Sequence, residues 1–257
     1  MAEHSGTVSL IITGDEEGPA TFGTVALMEW MAERSIRPDM ILIGEPTSVN
    51  RLGDTVKIGR RGSANMMVTV PGTQGHVAYP HRADNPVPKL GRVVEALSAI
   101  HLDDGTDAFP PSNLEFTAVS TPTTASNVIP ASATAQLNIR FNNLHQGADL
   151  VRLVEETAAA AAPGATVRAR ISGEAFLTPP GELYDLVVSA IEEETGLAPD
   201  LSTSGGTSDG RFLIELCPVV DFGLPNGTMH KLDECAAVED IERLTQIYAS
   251  VLRKVFG

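Results

Sequence analysis

The chain has 257 residues, of which 42% are apolar, so it can bury a sizeable core in one or two domains. Its 33 acidic against 18 basic residues give a net charge of −15, which argues against a nucleic acid or an anionic membrane as partner. No apolar run approaches the roughly 20 residues of a membrane span, and the first residues lack a signal-peptide pattern. Two cysteines, Cys217 and Cys235, are too few for a disulfide scaffold, which favours a cytoplasmic protein.

The apolar periodicity predicts three elements before residue 60. Residues 7–13 have the length and β-branched content of a buried strand, 21–34 have helical apolar spacing, and 40–43 form a second short strand. From about Arg61 the predicted order is strand, helix, strand, strand, helix, strand, over 64–70, 86–102, 114–119, 133–142, 149–161 and 165–172. This order predicts an α+β sandwich, a four-stranded antiparallel sheet with two helices on one face. After Phe176 the α/β pattern resumes with a helix at 181–195, a strand at 217–222 and an amphipathic helix at 238–255.

Carboxylates follow each of the two strands that are predicted before residue 60. Glu16 and Glu17 lie in a glycine-bounded turn after 7–13, and Glu45 follows 40–43. Open α/β sheets place ligand sites at the carboxyl ends of their strands, and neighbouring glutamates can divide metal binding from proton transfer. An acidic turn is also typical of a solvated loop or a helix N-terminus. His230, which follows the apolar stretch 217–224, is either a zinc ligand or a structural histidine.

Eight short runs, in this order, resemble the succinyl-diaminopimelate desuccinylases of the dinuclear zinc aminoacylase and carboxypeptidase superfamily. They are GDEEG (14–18), GEPTS (44–48), GRRGS (59–63), GHVAYPH (75–81), NVIP (127–130), LNIRF (137–141), STSGGTSDGRF (202–212) and HKLDE (230–234). The resemblance implies an α/β zinc-peptidase-like catalytic domain over 1–60 and 174–257. It also implies that 61–173 is an inserted α+β sandwich domain, the lid, through which two subunits form a homodimer.

The resemblance assigns roles residue by residue. Glu16 would be the general base. Glu17 and His230 would bind one zinc ion and Glu45 a second, with cobalt or manganese as alternative metals. The implied substrate-binding residues are Arg60, Ser63, His76, Tyr79, Asn127, Arg140, Gly206, Thr207 and Asn226. His76 and Asn127 would reach across the dimer interface to stabilise the oxyanion. Without the resemblance, His76 is typical of a surface turn and Arg140 of an outward-facing strand residue.

The implied reaction is hydrolysis of N-succinyl-LL-2,6-diaminopimelate to succinate and LL-2,6-diaminopimelate, in lysine biosynthesis. Family members begin with a further segment that carries a His-x-Asp motif and a metal-bridging aspartate, neither of which is found in this sequence. We therefore expect the chain to correspond to the larger, C-terminal part of such an enzyme, and its activity alone to be doubtful. Two alternatives stay open: a related deacylase such as acetylornithine deacetylase, and a non-catalytic dimerising remnant.

Overall fold

A computed structural model of the protein describes residues 4–18 and 22–257. The chain divides into two compact units, one formed by Met1–Arg60 with Phe176–Gly257 and the other by Arg61–Ala175. In chain order the helices and strands are α1 (Thr24–Glu33), β1 (Ile41–Ile43), β2 (Thr55–Lys57), β3 (Gly59–Arg60), β4 (Gly62–Pro71), β5 (Gly75–His76), α2 (Pro86–Ser98), β6 (Asn113–Ser120), β7 (Val128–Ile129), β8 (Ser132–Phe141), α3 (Gly147–Ala161), β9 (Thr166–Gly173), β10 (Phe176–Leu177), α4 (Glu182–Thr195), β11 (Asp200–Ser202), α5 (Gly210–Leu213), β12 (Val219–Asp221) and α6 (Val238–Phe256). In the described part of the chain, no helix is both long and apolar enough to cross a membrane.

The first unit has a four-stranded mixed sheet in the order β1-β12-β2-β11. β1 is parallel to β12, β11 is parallel to β2, and β12 meets β2 in antiparallel fashion through Asp221 and Lys57. The apolar faces of α4 and α6 pack into one buried cluster with the sheet, in which Val187, Ile191 and Ile247 are fully buried. Each such side chain contributes about 1.5–3 kcal/mol on burial, so this cluster holds the strand ends in place.

The second unit is the predicted sandwich. Its antiparallel sheet has the order β6-β8-β4-β9, and α2 and α3 pack with it around one apolar cluster. Along β4 the buried Met66 and Val68 alternate with the more exposed Asn65 and Met67, as expected for a sheet with one covered face. The chain order strand, helix, strand, strand, helix, strand is therefore confirmed.

One predicted strand and one predicted helix end are wrong, each for a physical reason. Residues 7–13 form no strand, and Leu10 and Ile12 are 84% and 80% exposed. A strand needs the backbone of a neighbour, and none of the described strands pairs with this segment. Helix α2 ends at Ser98, four residues before the prediction, because Ile100 and Leu102 pack against the core in non-helical backbone. The apolar spacing of Ile100 and Leu102 therefore reflects burial of their side chains and not a helical backbone.

Other elements were not predicted from the sequence. The paired strands β3 and β10, and β5 and β7, are two residues long, and β2 and β11 are three. Such short strands leave too few residues to show a period of two. Helix α1 begins at Thr24; residues 19–21, which include the predicted helix start, lie outside the described residues.

Candidate functional site

The first unit brings a predicted carboxylate and the predicted histidine together. Glu17 Oε1 lies 3.6 Å from His230 Nε2, and both side chains are exposed. His230 adopts a left-handed backbone conformation with φ of 58°, and its N–H donates to the Glu234 carboxylate at 3.2 Å. Two ligands of a tetrahedral zinc ion, each at about 2.0–2.2 Å from the metal, have their donor atoms about 3.3 Å apart. The Glu17–His230 pair therefore fits one metal ion in both donor chemistry and spacing.

Two further carboxylates share the electrostatic environment of this pair. Burial, with a second contribution from Glu16, raises the pKa of Glu45 to about 7, although Arg60 opposes the shift. Burial also raises the pKa of Glu16, and the charges of Glu17 and Asp209 add to that rise. These carboxylates therefore lie close enough to repel one another. No group of three or more His, Cys, Asp or Glu side chains is placed to bind a metal together in the described part of the chain.

The turn that carries Glu45 is tied to the segment that carries Asn226. The Asn226 N–H donates to the Ser48 carbonyl at 2.8 Å, and the Ser48 hydroxyl donates to the Gly223 carbonyl at 2.9 Å. A Cβ on Gly223 would lie 2.5 Å from the Glu45 carbonyl oxygen, so only glycine allows this approach. The backbone after β1 and the backbone after β12 are thus held side by side.

Arg60 is buried, and each of its three guanidinium nitrogens donates to a protein group. Its Nε and Nη2 donate to Asp221 Oδ2 at 2.8 and 2.6 Å, and its Nη1 donates to the Gly206 carbonyl at 3.0 Å. The predicted substrate-binding arginine therefore holds the glycine-rich loop, in which Gly206 is exposed and Thr207 half-buried. Lys57 supports the same loop, because its Nζ donates to the hydroxyls of Ser202 and Ser204 at 3.0 Å each.

The second unit groups its predicted residues into two sets. Ser63 lies directly opposite Arg140 in the pairing of β4 with β8, and Arg140 is half-buried. His76 pairs with Val128, the neighbour of Asn127, through β5 and β7, and the Asn127 carbonyl accepts the Val77 N–H at 3.1 Å. The rings of His76 and Tyr79 have centroids 5.9 Å apart.

His76 and its neighbours form an exposed polar surface in the second unit. The side chain of Tyr79 is half exposed, and His76 and Asn127 are exposed as well. His76 Nδ1 accepts the Ala78 N–H at 3.1 Å, so the hydrogen bond orients the ring and leaves Nε2 as its other polar atom. The paired strands β5 and β7 therefore present the exposed His76 on one strand and the exposed Asn127 directly before the other.

Two structural partners of the site, Asp221 and Asp209, were not predicted from the sequence. Asp221, which bonds Arg60, is a charged residue inside an apolar run, and a buried charge of this kind was the available signal. Asp209 was not assigned a role from the sequence. Its carboxylate accepts hydrogen bonds from the hydroxyls of Thr13 and Thr24. No local pattern could have indicated these partners, which are 196 and 185 residues away in sequence.

Comparisons with known proteins match the chain over almost its whole length. A family model described as a peptidase dimerisation domain matches residues 58–166. The chain is 63% identical over 252 residues to a succinyl-diaminopimelate desuccinylase from Sphingopyxis alaskensis, covering 98% of this chain and 67% of that protein. It is 62% identical to the enzyme of the same name from Rhizorhabdus wittichii, covering 100% of this chain and 68% of that protein. The chain thus spans about two thirds of the length of these relatives.

Solved structures support the fold. The aminopeptidase PepT from Bacillus cereus aligns with a TM-score of 0.75 at 16% identity, covering 95% of this chain and 63% of that one. An M20 family metallo-carboxypeptidase, Sso-CP2 from Sulfolobus solfataricus, aligns with a TM-score of 0.75 at 13% identity, covering 93% and 68%. At these identities the likeness is one of fold, and it confirms the predicted α/β peptidase-like architecture with an inserted α+β domain.

Proposed function

The chain belongs to the succinyl-diaminopimelate desuccinylase family, and from this membership we propose that it hydrolyses N-succinyl-LL-2,6-diaminopimelate with the help of a bound divalent metal. The products would be succinate and LL-2,6-diaminopimelate, a step of lysine biosynthesis. The observation that carries the proposal for the site is the 3.6 Å approach of Glu17 Oε1 to His230 Nε2. Carboxylate oxygen and imidazole nitrogen are both good zinc donors, so the pair suits a zinc ion.

Glu17 and His230 would hold one metal ion, and Glu45 would contribute to a second. A zinc ion, when bound, supplies a Lewis acid at the amide carbonyl and lowers the pKa of water. Glu16, half-buried next to Glu17 in the same turn, would act as the general base. It takes a proton from the water whose oxygen bonds to the succinyl carbonyl carbon. As the carbon–nitrogen bond breaks, Glu16 returns that proton to the departing amine.

The remaining predicted residues would bind the substrate's carboxylates and the developing oxyanion. Arg60 keeps Gly206 and Thr207 in place through its bond to the loop, and Asn226 lies on the segment tied to Glu45. In the second unit, Arg140 with Ser63 offers a half-buried guanidinium beside a hydroxyl, an arrangement suited to a carboxylate. His76, Tyr79 and Asn127 would serve the neighbouring subunit of a homodimer, His76 and Asn127 as oxyanion donors.

A test of the metal site does not need turnover. Zinc chloride titrated into the chain in a calorimeter should bind, and Glu17→Gln or His230→Asn should weaken that binding at least about tenfold. His101→Asn, which changes an exposed histidine of the second unit, is the matched control and should leave it unchanged. Equal zinc affinity in Glu17→Gln and the parent chain would refute the assignment.

A test of the activity follows amine release from the succinylated substrate with added zinc. Glu16→Gln should abolish the release, and N-acetylornithine should be a much poorer substrate because it lacks the succinyl carboxylate that an arginine can bind. Release that persists at the parent rate in Glu16→Gln would exclude Glu16 as the base. Absence of turnover in a chain that binds zinc would show that the chain alone is insufficient for activity.

The dimer can be tested by mixing two inactive variants. If His76 acts on the partner's site, a mixed dimer of Glu16→Gln with His76→Ala retains one intact site, and a statistical mixture recovers about a quarter of the parent activity. If His76 acts within its own subunit, the mixture recovers none. Light scattering would establish the dimer first.

A further inference from the structure

Asp209 is a buried carboxylate placed just before the short helix α5. The residue is 7% exposed. Its Oδ2 accepts the Thr24 hydroxyl at 2.5 Å and the Thr13 hydroxyl at 3.3 Å. Its Oδ1 is buried and has no hydrogen-bond donor in the part of the chain that the structure describes. A buried charge that is only partly satisfied costs free energy, so its presence calls for an explanation.

The two hydroxyls bound by Asp209 come from either end of a single segment. Thr13 immediately precedes Gly14, and Thr24 follows Gly23 as the first residue of α1. Between them lie Glu16 and Glu17, in the described portion 14–18. One oxygen of Asp209 therefore joins both ends of the segment that carries the proposed base and a proposed metal ligand.

The join adds to the contacts that the segment makes within itself. There, Asp15 Oδ2 accepts the Phe22 N–H at 3.1 Å and the Asp15 carbonyl accepts the Gly18 N–H at 3.3 Å, while Glu17 is exposed and none of the described strands pairs with residues 7–13. Fixing the ends of a short loop lowers the number of conformations available to the residues between them. Hydrogen bonds to a charged acceptor are stronger than those to a neutral one, so a carboxylate is well suited to hold the two ends of the segment.

We propose that Asp209 is a positioning residue, which clamps both ends of the 14–23 segment through the Thr13 and Thr24 hydroxyls and so places Glu16 and Glu17 for the reaction. The inference rests on the proposed function for the roles of these two glutamates. Asp209 acts through these two hydroxyls, which lie 3.3 and 2.5 Å from its Oδ2.

The clamp is tested from the threonine side, where the substitutions preserve shape. Thr24→Val removes the hydroxyl and keeps the β-branched form, and Thr24→Ser restores a hydroxyl. Thr245→Val is the matched control, because that hydroxyl donates to a carbonyl within α6, away from this segment. Asp209→Ala completes a double-variant cycle with Thr24→Val.

Hydrogen exchange read by mass spectrometry reports the clamp directly. Amides of 14–18 and 22–23 should exchange about tenfold or more faster in Thr24→Val than in the parent chain, as expected for loss of a bond to a charged acceptor. Thr24→Ser and Thr245→Val should exchange at the parent rate. The combination of Asp209→Ala with Thr24→Val should exchange no faster than Asp209→Ala alone. Parent-like exchange in Thr24→Val would overturn the proposal.

Zinc titration then separates positioning from simple support of the fold. Zinc chloride should bind Thr24→Val about tenfold more weakly than the parent chain, with Thr24→Ser restoring the affinity. Faster exchange with unchanged zinc affinity would mean that Asp209 tethers the segment without positioning Glu17, and would overturn the proposal. If the parent chain binds no zinc, the proposed metal site fails by itself, and the exchange rates alone then decide whether the clamp exists.

Discussion

Replacement of Asp221 by asparagine tests how the first unit holds its glycine-rich loop. The Arg60 and Asp221 side chains are 7% and 2% exposed, so water screens their interaction little. Asp221 Oδ2 accepts both Arg60 Nε and Nη2. Asp221→Asn leaves the guanidinium buried without a counter-charge, and breaking a buried pair in this way costs about 3–5 kcal/mol. For a chain of this size that loss corresponds to a fall of roughly 6–20 °C in Tm.

The loss of stability in Asp221→Asn should arise from the unpaired charge of Arg60 and not from the loss of the ion pair itself. Replacing both partners with apolar residues of similar volume, as in Arg60→Met with Asp221→Leu, removes both buried charges together. Such double replacements are often neutral or stabilising, so this variant should be more stable than Asp221→Asn. The coupling measured by the double-variant cycle should exceed about 1 kcal/mol.

Urea unfolding followed by tryptophan fluorescence measures the effect in the correct unit. The chain has one tryptophan, Trp30, which lies on α1 in the first unit. Asp200→Asn is the matched control, since Asp200 is an exposed aspartate of the same sheet and its loss should change the unfolding free energy by less than about 0.5 kcal/mol. If Asp221→Asn is as stable as Asp200→Asn, the buried pair does not hold the loop as argued.

Three further predictions concern the second unit. Leu97→Ala removes a fully buried side chain of α2 and should lower the unfolding free energy by about 2–5 kcal/mol in urea, whereas Val87→Ala on the same helix, 46% exposed, should cost much less. Gly91→Ala lies at an exposed mid-helix position with no heavy atom within 4 Å of the new Cβ, so circular dichroism melts should show stabilisation of about 0.5–1 kcal/mol; a loss would contradict the open surroundings. Burial raises the pKa of Asp103, but hydrogen bonds led by that of Ser112 outweigh burial and hold this pKa well below its usual range. Its ionised form therefore stabilises the fold above about pH 4, and that contribution is lost as the pH falls toward the lowered pKa. The difference in unfolding free energy between the parent chain and Asp103→Asn should be full at pH 7 and shrink below about pH 4; a difference constant from pH 7 to 3 would contradict it.

The sequence was sufficient where burial follows a regular period. In β4 and β8 one face is covered, so alternate residues such as Val68 and Ala135 are apolar and the strands could be predicted to within about two residues. The candidate carboxylates were also visible, because Glu16 and Glu17 lie in a glycine-bounded turn and Glu45 follows Gly44, each after an apolar run. Their roles in the site stay predictions.

The parts of the structure that were not predicted depend on contacts between residues that are distant in sequence. The apolar run 7–13 has strand composition, yet composition cannot show whether a neighbouring strand is present to accept its backbone hydrogen bonds. Likewise, Arg60 was predicted as a substrate-binding residue from its motif, but its present bonds depend on Asp221 and Gly206, more than 140 residues away in sequence. Arg60 would therefore contribute to substrate binding by supporting the glycine-rich loop, and this role stays a proposal.

The site and the core of the first unit are stabilised by different kinds of interaction. The buried cluster between α4, α6 and the sheet is apolar, and none of the candidate site residues belongs to it. The segments that carry those residues are held by buried polar bonds, such as Ser48 to the Gly223 carbonyl, Arg60 to Asp221 and Thr24 to Asp209. Polar bonds are directional and apolar packing is not, so they fix the orientation of loops that must place individual atoms. The same bonds keep several carboxylates close together, and burial, with a smaller contribution from the repulsion between their charges, raises the pKa of Glu16 and Glu45. The proposed dication, when bound, would relieve that repulsion.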